Sequence, residues 1–125
     1  MRFVLLSRFS VVTTDATGAV AWRPEDLEAH FRYMRDLNRT LGSTGELVST
    51  HELALAPQAR VVRAAGGDVA IDDAGRADGD AVTCYWLVDC ETLERAVEIA
   101  ASVSAAPGAC GQPLNHVVEL RPVIP

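Results

Sequence analysis

The sequence contains no lysine. Its 11 basic residues are all arginine, set against 17 acidic ones, for a net charge of −6. An acidic chain without a basic cluster argues against nucleic acid as a partner. Cysteine is sparse: Cys84, Cys90 and Cys110 make an odd count with no CxxC pair. They read as reduced, mostly buried thiols rather than a disulfide framework, a redox pair or a metal site. No stretch approaches the roughly 20 apolar residues of a membrane span, so no membrane partner is expected. The opening MRFVLLSRFSVV regains charge at Arg8 and lacks a small-residue cleavage site. It reads as a strand rather than a signal peptide, which places the chain in the cytoplasm by default. Phosphate loops, nucleophile elbows and Walker motifs are also missing. His30, His51 and His116 stand far apart without paired spacing, so neither a metal nor another cofactor is expected.

What is present describes a single domain over residues 1–125. The hydrophobic content of 49% allows a real core, in a chain small enough to gain from association. Arg2–Leu6 begins a strand. Pro24 sits in a first helical turn with Glu25, Asp26 and Glu28, and Leu27, Phe31, Met34, Leu37 and Leu41 form the expected buried stripe. Leu47–Leu55 resembles a strand interrupted by polar residues. Arg60–Ala64 and Val69–Ile71 flank the turn signal Gly66-Gly67-Asp68 and read as a hairpin. Asp72–Asp80 has no large apolar side chain and is expected to be a mobile loop.

Cys84–Val88 is another run of β-formers. A helix follows, striped by Leu93, Ala96, Val97, Ala100 and Val103, and halted by Pro107 and Gly108. Val117, Val118 and Leu120 supply the last strand. Strand–helix–strand thus occurs twice, with a hairpin between. That order predicts an α+β fold of the ferredoxin-like, split βαβ type. Two helices cover one sheet face only, so the other should be covered by a second copy in a homodimer.

The candidate chemistry begins with His30, at the edge of the first helical stripe. It reads either as a half-buried histidine with a satisfied hydrogen bond or as a general acid and base. Tyr33 follows at i+3 on the same face. Ser49 and His51, two residues apart on a strand, share a face and are candidate substrate contacts, or else an exposed polar strand surface. Trp86 and Tyr85 point oppositely, with Trp86 the expected core residue and a possible pocket wall. His116 opens the last strand at an expected edge or interface position. Asp73 reads either as a loop turn-former or as part of a site.

Several strings, in order, resemble the YCII-related family, in the branch named for an Asp-Gly-Pro-Phe motif. They are RFVLL, GELVSTHELA, RVVRAAGGDVAID, YWLVDCETLERAVEIA and VELRPV, and the resemblance they carry extends over nearly the whole chain. The motif itself is degenerate: Asp73-Ala74-Gly75-Arg76 keeps only the Asp. The resemblance implies a dimeric α+β barrel and a small-molecule ligand. It also puts His30 where the family's helix-one histidine lies and Asp73 at the retained motif position; Tyr33, from its place on the same helix face, is a further candidate helper. The implied function is a cofactor-independent lyase or isomerase acting on a small carbonyl or enol compound. The alternative is a non-catalytic small-molecule binder or regulatory protein. Cofactor-free oxygenation is a third option, by fold-level analogy alone.

Overall fold

Side chains alternate along β1 (Arg2–Ser7): Phe3, Leu5 and Ser7 are buried, while Val4 and Leu6 on the opposite face are half-covered. The computed structural model that defines this strand describes residues 1–9, 22–54, 58–72 and 81–125. β1 lies at the centre of a four-stranded antiparallel sheet. Its neighbours are β5 (Cys84–Asp89) and β6 (Val118–Pro122), and β2 (Leu47–Glu52) pairs with the far side of β5.

The order is therefore β2-β5-β1-β6. β1 and β2 run parallel with β5 between them, and β5 and β6 run parallel with β1 between them. Each parallel pair is joined by a helix: α1 (Pro24–Ser43) for the first, α2 (Leu93–Ser104) for the second. Leu41 of α1, and Ala96, Ile99 and Val103 of α2, share one core with Phe3, Leu5, Trp86 and Val88. Both helices therefore cover the same sheet face. The chain is an α+β protein.

Local signals explain the helix boundaries. Pro24 opens α1. The Asp26 carboxylate accepts from the Arg23 backbone N–H at 2.9 Å and from its guanidinium at 3.0 Å. Arg23 and the Cys110 backbone hold the Asp26 carboxyl down at about 2. Thr92 caps α2 by accepting from the Arg95 N–H at 3.1 Å. Arg95 then grips Glu46 through two bonds of 2.7 and 2.8 Å, which fastens α2 to the start of β2.

β3 (Val61–Ala65) and β4 (Asp68–Asp72) form the expected hairpin, separate from the main sheet. Gly66 and Gly67 have φ of 58° and 94°, the two positive values that a tight turn between twisted strands needs. The loop expected over Asp72–Asp80 falls, from residue 73 onward, outside the described residues.

Three details differ from the sequence expectations. Phe31 is 38% exposed and His30 only 7%, so α1 is rotated towards a line through Asp26, His30, Met34, Leu37 and Leu41. The cause is polar anchoring. His30 bonds the Pro107 carbonyl and Asp26 meets the Cys110 backbone, and these contacts hold the N-terminal half of α1 against the connection beyond α2. On α2 the buried line is Ala96, Ile99 and Val103, with Leu93 and Val97 exposed at its flank. Finally, β2 stops at Glu52, and β6 starts at Val118, leaving Val117 84% exposed.

Candidate functional site

A cavity of about 330 Å³ lies between α1 and the covered sheet face, at the end where β1 and β6 meet the loops. From α1 it receives His30, Phe31, Met34 and Asn38. Spacings of three, four and four put His30 or Phe31, Met34 and Asn38 on one helix face. The sheet contributes Ser7, Thr50, Glu52, Cys84 and Trp86, all on the helix-facing side by strand register. Phe9, Thr83, His116 and Val103 of α2 complete the deep wall.

His30 is the best-defined group in it. Its Nδ1 lies 3.0 Å from the Pro107 carbonyl oxygen. A carbonyl only accepts, so Nδ1 carries the hydrogen and donates. In the neutral ring, Nε2 is then the acceptor, and among the described residues it has no partner. Gly108 keeps this connection close to its neighbours. A Cβ there would lie 2.5 Å from Leu114 Cδ2 and 3.3 Å from Trp22 Cζ2.

Aromatic rings surround His30. Trp22 meets it edge-on at 5.5 Å, Phe31 does so at 5.5 Å, and Phe9 lies at 6.1 Å. Phe9 also stacks on His116, with ring centroids 5.0 Å apart. His116 Nδ1 is buried without a partner. Burial, aided by the nearby His30, holds the His116 pKa below the ordinary 6.5, which leaves the ring neutral at pH 7.

Most other polar lining groups are engaged by the backbone. Thr50 Oγ1 donates to the Tyr85 carbonyl at 2.9 Å, and Ser7 Oγ accepts from the Phe9 N–H at 3.2 Å. Thr83 Oγ1 lies within reach of the Ser7 and Phe9 carbonyls. Burial pushes the Cys84 thiol up to about 11, so it is no thiolate nucleophile at neutral pH. Trp86 is buried and donates Nε1–H to Asn38 Oδ1 at 3.0 Å. Because an indole N–H only donates, the oxygen of Asn38 must face it, which leaves Nδ2 as an amide donor with no partner among the described residues.

Of the residues singled out from sequence, His30 and Trp86 meet in this cavity. Tyr33 does not line it. Its hydroxyl donates to the Ser102 carbonyl at 2.8 Å, because the rotation that buries His30 turns Tyr33 towards α2. Ser49 faces the other side of the sheet, opposite Leu87. His51 shares that face, with its ring 5.8 Å from Tyr85, and reaches the cavity only at its rim. The reason is a bulge. The β2–β5 register shifts between Leu47 and Ser49, so Leu47 and then Thr50 and Glu52 point inward. Asp73 lies outside the described residues.

Phe9, Asn38, Thr50, Glu52 and His116 were not singled out as site residues. Continuing the β1 alternation Phe3, Leu5, Ser7 would have reached Phe9. Among the described residues, no group of three or more His, Cys, Asp or Glu could hold a metal ion. No described helix is long and apolar enough to cross a membrane. In comparisons with known proteins, no family model matches the chain and no curated protein is significantly similar to it.

Proposed function

We propose that the chain is a YCII-related protein with a ferredoxin-like fold that binds a small molecule in the His30 cavity. There it would catalyse a cofactor-independent lyase or isomerase step. The sheet order β2-β5-β1-β6, with two interlocked helical crossovers, supports the fold assignment. The ordered strings along the sequence support the family. The observation that carries the function is the oriented imidazole: Nδ1–H bound to Pro107, Nε2 left as an acceptor among aromatic walls. A base held in one tautomer can take a proton from a carbon beside a carbonyl or from the hydroxyl of a conjugated enol. It can then return that proton at another position.

Solvent-deuterium incorporation into a panel of small enolisable ketones tests this reading, followed by proton NMR. The wild-type chain should accelerate exchange, and His30→Gln, which packs similarly but transfers protons poorly, should lower the rate roughly 100-fold. Equal rates for both proteins would remove His30 from the chemistry. One observation favours binding without catalysis as the second reading: His30 leans on a backbone carbonyl rather than a carboxylate.

We also propose a homodimer through the face opposite the helices. Val4, Leu6, Tyr85 and Leu87 occupy its centre by register, and they are only half-covered within one chain.

A further inference from the structure

We propose that the ligand of this cavity is an uncharged, planar hydroxyaryl ketone or related enone, its hydroxyl on His30 and its carbonyl on Asn38, and not a carboxylate or phosphate. The inference rests on the functional reading above and names its substrate class.

Charge supports the first half. Among the described residues no arginine lines the cavity, and the chain has no lysine. Arg8 is held by Glu119 and Arg23 by Asp26. Among the described residues, the one formally anionic lining residue is Glu52. An anion entering here would lose hydration, gain no cation and meet a like charge.

Hydrogen-bond accounting supports the second half. Thr50 and Thr83 direct their hydroxyls to backbone carbonyls, Ser7 Oγ accepts from the Phe9 N–H, and His116 is a neutral ring stacked on Phe9 whose unpartnered Nδ1 is buried away from the cavity space. On the α1 side of the cavity, among the described residues, two lining groups keep a free polar atom: the acceptor Nε2 of His30 and the donor Nδ2 of Asn38. An acceptor calls for a ligand O–H, and an amide donor calls for a ligand C=O. The two residues lie eight positions apart on α1, about 12 Å along the axis, which favours an elongated two-ring scaffold. Phe9, Phe31 and Trp86 supply flat walls for such rings.

The test is isothermal titration of the full chain with three probes: acetylnaphthol, hydroxynaphthoate and acetylnaphthalene. Acetylnaphthol should bind, and the other two should bind roughly tenfold more weakly or worse. Asn38→Asp keeps the oxygen that Trp86 needs and removes the donor. It should weaken acetylnaphthol by a similar factor while melting close to the wild type. Hydroxynaphthoate binding as tightly as acetylnaphthol would overturn the proposal, as would no acetylnaphthol binding or an unaffected Asn38→Asp variant. A preference for hydroxynaphthoate, with exchange activity still lost in His30→Gln, would sink the ligand class and spare the His30 reading. Unchanged acetylnaphthol affinity in His30→Ala, which removes the acceptor, would overturn the hydroxyl contact, and unchanged exchange in His30→Gln would overturn that reading.

Discussion

His30 and Pro107 are joined by a 3.0 Å hydrogen bond across 77 residues of chain. The bond ties α1 to the connection that follows α2, and it fixes which nitrogen of the imidazole can act as a base. The packing around that connection is tight because Gly108 adjoins Leu114 and Trp22.

Gly108→Ala should therefore destabilise the fold by about 1–3 kcal/mol, the usual cost of overpacking. Denaturant unfolding measures it. Because the new Cβ would push the segment carrying the Pro107 carbonyl, ligand affinity should fall as well. Unchanged stability and affinity would show that the connection yields freely.

Asp26 gives the fold an acid-sensitive clamp. Its folded pKa of about 2 lies below the ordinary 3.8. The stabilisation is thus complete above about 3.8 and is lost as pH falls towards about 2. Asp26→Asn should melt below the wild type at neutral pH, and the gap should close through that acidic window. A gap independent of pH would mean that the carboxylate charge contributes nothing.

His116 acts on stability in a different pH range. Its buried, unpartnered Nδ1 and lowered pKa mean that protonation favours unfolding as pH drops below 6.5. His116→Phe keeps a flat ring against Phe9 and removes the orphan nitrogen. It should stabilise the chain by about 1 kcal/mol at neutral pH, and by more at pH 5. Thermal melts at the two values decide it; a destabilised variant with no pH trend would contradict the account.

The cysteines should separate by exposure. Cys110 is exposed, whereas Cys84 and Cys90 are covered and burial raises their thiol pKa values. Iodoacetamide at pH 7.5 should label Cys110 first, read by peptide mass spectrometry. Prompt labelling of Cys84 would mean that the cavity wall opens readily.

Much of the fold was legible because its signals are local. Pro24 with its acidic first turn, the Gly66-Gly67 turn and the β-former runs all act within a few residues. The site was less legible, because its decisive features join distant segments. A bulge at Val48 turns Ser49 and His51 away and brings in Thr50 and Glu52. The Asp26 and His30 bonds rotate α1, so that His30 moves inward, Phe31 outward and Tyr33 onto α2. Helical periodicity alone weighs a polar residue as surface, and it carries no record of a carbonyl 77 residues away. His116 joins the cavity through its stacking on Phe9, a contact no spacing rule contains.

The central claim is that His30 is held as a base with Nε2 facing the ligand. Long-range nitrogen–proton correlation NMR of the imidazole measures its tautomer directly. At a pH where the ring is neutral, the account predicts hydrogen on Nδ1, a bare Nε2, and an Nε2 shift that moves when acetylnaphthol is added. Hydrogen on Nε2, or an Nε2 resonance indifferent to the ligand, would contradict it.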